Sequence, residues 1–115
     1  MDAIQWPEGK KCAVMFSFDL DGDTTWENGN RGLPGGEQYI KSLSVGQYGP
    51  KRCADRILDK LDQHGVKETF FIHGLPAQRY PAVVTRIPAA GHDHGLHGTD
   101  HARLAGNKTE AQTES

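Results

Sequence analysis

Three stretches of apolar sequence organise this chain. Residues 11–18, Lys-Cys-Ala-Val-Met-Phe-Ser-Phe, are nearly continuously apolar. A short run of this kind predicts a strand buried on both faces, as in a parallel sheet. It ends abruptly in Asp19-Leu20-Asp21-Gly22-Asp23. Residues 51–64 carry Ile57, Leu58 and Leu61 as an i, i+1, i+4 stripe with charges on the other faces, which predicts a helix stopped at Gly65. Lys67-Glu68-Thr69-Phe70-Phe71-Ile72 predicts a second strand. Residues 76–87 predict a second helix, interrupted by Pro81 and ended by Pro88, and His92 to Leu96 a polar third strand.

Between the first strand and the first helix, residues 22–50 hold seven of the 14 glycines and little periodicity, so they read as a long loop. The tail from Leu104 to Ser115 is polar and patternless. The order strand, loop, helix, strand, helix, strand argues for α/β architecture with parallel strands in one unit spanning 1–115.

Composition narrows the function. The 115 residues are 36% apolar and 24% charged, with a net charge of −2. A near-neutral chain with no basic stripe argues against nucleic acid as the main partner. No apolar run approaches the ~20 residues of a membrane span, and the first residues show no basic-then-apolar leader. Two cysteines, Cys12 and Cys53, are too few for a disulfide framework, so a reducing cytoplasm is the expected location. The unusual feature is six histidines, four of them (His92, His94, His97, His101) within ten residues.

Asp19, Asp21 and Asp23 lie just past the end of a predicted buried strand, where α/β folds bind ligands. Three clustered carboxylates repel one another unless a cation or a positive side chain neutralises them. In extended chain Asp19 and Asp21 point the same way, so one could hold a metal while the other takes a proton. A calcium loop of EF-hand type needs Gly at its position 6 and Glu at 12, and counting from Asp19 these are Thr24 and Asn30. Val14 to Asp23 comes close to the first motif of haloacid-dehalogenase-like phosphatases, with Asp19 as nucleophile and Asp21 as acid, but that reading leaves the histidines without work. His97 and His101, four apart, would share one face of a helical turn and could chelate one ion with a carboxylate. His94-x-x-His97 is a competing pair. His92 and His94 read as strand or turn residues, His64 and His73 as structural or exposed.

Together these segments resemble the polysaccharide deacetylases, the NodB-homology domain of carbohydrate esterase family 4. Phe16 to Asp23 resembles their first motif, Glu68-Thr-Phe-Phe-Ile-His-Gly74 their second strand, and Gly91-His-Asp-His-Gly-Leu-His-Gly-Thr-Asp-His101 their second motif. Tyr48-Gly-Pro50 and Arg56-Ile-Leu-x-x-Leu61 point to the cytoplasmic branch, with its peptidoglycan deacetylase-like and allantoinase-like proteins. The resemblance implies Asp19 as catalytic base and Asp21, His97 and His101 as ligands of a divalent metal, usually zinc. It implies hydrolysis of an amide on an N-acetylated sugar, or of a ureide or cyclic imide. Trp26 and Tyr48 are candidate cleft-lining aromatics. Glu68 replaces a small family residue, and Pro88 falls where the family helix continues.

The family fold is a distorted (β/α) barrel, and barrels of this class need ~200 residues or more. Three β/α units cannot close one, and the family's later Arg-containing motif and Leu-x-His are absent from this sequence. The expectation is an N-terminal portion of the domain, completed by further chain or by assembly with other copies. The remaining alternative is a non-catalytic remnant that binds metal or glycan.

Overall fold

The computed structural model describes residues 5–35 and 39–101. Three parallel strands form one sheet in the order β1 (Ser17–Leu20), β2 (Thr69–Ile72), β3 (Asp93–Leu96). The register aligns Ser17 with Thr69 and Asp93, and Leu20 with Ile72 and Leu96. The α/β architecture with parallel strands is therefore as the alternation of patterns predicts. The tail from Leu104 lies outside the described residues.

Two helical crossovers join the strands. The first holds α1 (Thr24–Asn30), α2 (Ile40–Tyr48), a π-helical turn (Gly49–Cys53) and α3 (Ala54–Gln63). The second holds α4 (Gly74–Arg79) and α5 (Pro81–Ala89). Helix α3 is the amphipathic one: Leu58 and Leu61 are buried, Ile57 packs at the core margin, and Gly65 closes the helix with φ of +65°. With Leu20, Phe70, Ile72, Val83 and Ile87 they make the core between the sheet and α3 and α5. Burying a side chain such as Leu58 or Ile87 is worth ~1.5–3 kcal/mol. Arg86 of α5 bridges Asp55 and Asp59 of α3 and staples the two helices together.

Three local expectations are corrected. The apolar run at 11–18 is strand only at its end, and Val14, Met15 and Phe16 are exposed. Among the described residues β1 is an edge strand, so its lead-in has no neighbour to pair with; only the Phe16 N–H is held, donating to Glu68 Oε2 at 2.9 Å. Residues 22–50 are not a plain loop but carry α1 and α2. Their packing is close: a Cβ on Gly46 would lie 2.7 Å from the Gly22 carbonyl oxygen and 2.8 Å from Asp23 Cα, so only glycine brings α2 against the loop after β1. The helix expected over 76–87 is two helices broken at Tyr80–Pro81, with Pro88 tolerated in the last turn of α5.

Candidate metal centre at the C-terminal edge of the sheet

Side chains alternate along a strand. Phe18, Leu20, Phe70 and Ile72 turn toward the helices, so Asp19 and Phe71 turn to the opposite face. Asp21, His73 and His97 are each the first residue past the end of their strands, one step beyond the row Leu20, Ile72, Leu96. The parallel register therefore delivers one carboxylate and two imidazoles to a single row at the C-terminal edge. The His97 N–H donates to the Ile72 carbonyl at 3.2 Å and extends the ladder there.

His101 arrives by a different route. Gly98 takes φ of +75°, and the chain bends back over the sheet edge. Two backbone bonds fix the bend to the start of α4: Gly74 N–H to Gly98 O at 2.9 Å and Leu75 N–H to Thr99 O at 2.8 Å. The sequence spacing anticipates convergence of His97 and His101 through a helical turn; the structure achieves it through this bend.

One donor atom from each of Asp21, His73, His97 and His101 lies within 4.8 Å of the others. His73 Nε2 is 3.2 Å from Asp21 Oδ1, His97 Nε2 is 3.9 Å from the same oxygen, and His101 Nε2 is 3.6 Å from Asp21 Oδ2. The His73 ring lies 4.2 Å from that of His97 and 5.2 Å from that of His101, centroid to centroid. Asp19 stands at the rim, with Oδ2 3.7 Å from His97 Nε2 and its side chain 53% exposed.

The electrostatics suit a cation. Asp21 Oδ1 and both ring nitrogens of His73 are buried without a hydrogen-bond partner, which a native structure rarely tolerates. Burial, followed by the neighbouring His97 ring, pushes the His73 pKa below the ordinary imidazole value and outweighs the upward pull of Asp21. The ring is therefore neutral at pH 7, the form that ligates a metal. Thr25 Oγ1 donates to Asp21 Oδ2 at 3.3 Å and Thr24 Oγ1 to the Asp21 carbonyl at 2.7 Å, which orients the carboxylate. The residues present thus fit a divalent ion with imidazole and carboxylate donors.

Behind this row a second network anchors the loop. Asp23 is buried and accepts from Arg79 Nη1 at 2.8 Å, Tyr80 Oη at 3.3 Å and Gln47 Nε2 at 3.3 Å. Arg79 also forks onto both carboxylate oxygens of Glu27. Burial, the largest single influence, would raise the Asp23 pKa, but the hydrogen bond and charge of Arg79, a backbone hydrogen bond and Gln47 together outweigh it, and the net displacement is downward. Of the three clustered aspartates, then, Asp23 is neutralised by a positive side chain and Asp21 faces the imidazoles.

The sequence-based site residues divide as follows. Asp19, Asp21, His97 and His101 come together. His94 is exposed on β3 and His92 sits under the sheet, so neither joins the cluster, as expected. His64 is exposed. His73, expected to be structural or exposed, is buried, and its ring lies in the cluster itself. The signal available was its position, four residues after Thr69 as His97 is four after Asp93. Tyr48 borders an apolar groove with Phe16, Phe18, Ile57 and Val66 that none of the cluster residues line. Trp26 packs its Cδ1 against Gly46 on α2. Cys12 and Cys53 are both free thiols.

The chain is similar to known proteins in both sequence and fold. The family model described as polysaccharide deacetylase matches residues 47–115. A peptidoglycan-N-acetylglucosamine deacetylase from Bacillus cereus is 50% identical over 50 residues, 44% of this chain and 18% of the relative. A chitin deacetylase from Pestalotiopsis sp is 43% identical over 60 residues, 50% of this chain and 20% of the relative. A crystal structure described as a candidate polysaccharide deacetylase from Mycobacterium smegmatis superposes with a TM-score of 0.79 and 35% identity, over 91% of this chain and 36% of that one. The chain thus spans only a fraction of the length of the proteins it matches. With the family model covering more than half of the sequence, and the fold shared with a solved relative, the chain belongs to the polysaccharide deacetylase family.

Proposed function

We propose that this chain carries the metal-binding and proton-accepting part of a metal-dependent hydrolase that removes N-acetyl groups from amino-sugar polymers. The observation that carries it is the convergence of Asp21, His97 and His101 on one point beside Asp19. The names of the relatives support sugar amides over ureides or cyclic imides. The phosphatase alternative leaves three converging imidazoles without a task. Tyr48-Gly-Pro50 and Arg56 to Leu61 support the cytoplasmic branch as the nearer one.

In this reading Asp21, His97 and His101 hold the ion, and zinc suits a set of imidazole and carboxylate donors. When bound, zinc supplies Lewis acidity, lowering the pKa of water and polarising the amide carbonyl. Asp19 Oδ2 accepts the proton of the attacking water. Its exposure on the open face of the sheet leaves room for substrate, and it stands 3.7 Å from His97, one of the residues that would hold the ion. His97 holds the metal and also faces Asp19, coupling the two.

Zinc stoichiometry after dialysis tests the assignment. One zinc per chain is expected, lost in His97→Ala and in His101→Ala; full retention in both variants would falsify the triad.

A further inference from the structure

We infer that His73 is a fourth protein ligand, so that three imidazoles and one carboxylate hold the ion in a five-coordinate set whose last position stays open for the water of the proposed reaction. This rests on the metal reading above and adds a residue to it.

The argument is geometric. Two donors on one zinc at about 2.0–2.1 Å stand about 2.9 Å apart at right angles and about 3.3 Å apart at tetrahedral ones. The separation of His73 Nε2 from Asp21 Oδ1, 3.2 Å, falls in that range; the corresponding separations of His101 and His97 are 3.6 and 3.9 Å. The close approach is not an ordinary hydrogen bond, because both atoms are left without a hydrogen-bond partner. A shared cation satisfies both. The ring is also set for ligation. Its Nδ1 edge faces Gly98, and its Nε2, the nitrogen placed to ligate, faces the cluster. The side chain is 4% exposed, so bulk solvent does not reach it.

A third imidazole has two consequences. It shifts the site toward borderline ions such as zinc or cobalt and away from magnesium or calcium, which prefer oxygen donors. It also makes the ion bind the ends of all three strands at once, tying β2 to β1 and β3.

X-ray absorption of the zinc-loaded wild-type chain counts imidazole rings directly. Three rings are expected. Two rings with zinc still bound overturn the role of His73 and leave the triad intact; no retained zinc overturns the triad and this inference together. In parallel, His73→Leu is expected to keep its helical circular dichroism yet weaken zinc, measured by chelator competition, by at least about tenfold, the lower bound for loss of even an outer partner. The cobalt-loaded variant should also show an altered visible spectrum. Unchanged affinity and an unchanged cobalt spectrum in His73→Leu count against the assignment.

Discussion

Asp19 and His97 face each other across the end of the sheet, Oδ2 to Nε2 at 3.7 Å, although 78 residues separate them in sequence. The contact joins the residue proposed to take a proton to one proposed to hold the ion. It gives Asp19 a role separable from metal binding.

Asp19→Asn keeps size and hydrogen bonding but removes the basic oxygen. Zinc stoichiometry should be unchanged, because Asp19 is not one of the four clustered donors. In the completed domain, acetate release from N-acetylglucosamine oligomers should fall by about 10²–10⁴, the usual contribution of a general base. Mass spectrometry of released acetate checks this. A variant as fast as the parent removes Asp19 from the chemistry.

Arg79 bridges Asp23 and Glu27, and Asp23 is only 7% exposed. Arg79→Met leaves a buried carboxylate with Tyr80 and Gln47 alone. Losing the partner of a buried charged group costs about 1–3 kcal/mol, and the 36% exposure of Arg79 keeps the effect below the cost of a fully buried pair. Urea denaturation measures it. Arg79→Lys should restore only part, since a single ammonium does not fork onto two carboxylates.

His92 sets a dependence on pH. It is buried, and its Nδ1 accepts the Glu68 N–H at 3.2 Å, a bond that protonation would abolish. Burial and then Lys67 hold its pKa below the ordinary 6.5. Between the folded value and 6.5 the unfolded chain binds a proton that the fold does not. The stabilisation is therefore complete above 6.5 and is lost as pH falls through that window. Urea midpoints of the metal-free chain at pH 7.5 and 5 should differ in that sense, and His92→Gln should flatten the difference. His73 contributes the same sign in both proteins and cancels in the comparison. An equally steep profile in His92→Gln removes His92 as a source.

The sequence by itself determined the elements whose signal is local. The stripe of Ile57, Leu58 and Leu61 specifies α3, because periodicity is a property of neighbours. Thr69 to Ile72 specifies β2 for the same reason. Asp21, His97 and His101 were legible because chelating residues sit close in sequence or match a family pattern. Tertiary structure decided what depends on distant partners. The apolar run before β1 is exposed because pairing, not hydrophobicity alone, makes a strand. Helices α1 and α2 have weak periodicity of their own; Asp23, Arg79 and the Gly46 contact hold them. His73 entered the site only through the register of three parallel strands, which aligns residues 21, 73 and 97 into one row. Equal offsets from the strand starts, four residues from Thr69 to His73 and from Asp93 to His97, become a row only once the register is known, and register is set by packing across the sheet.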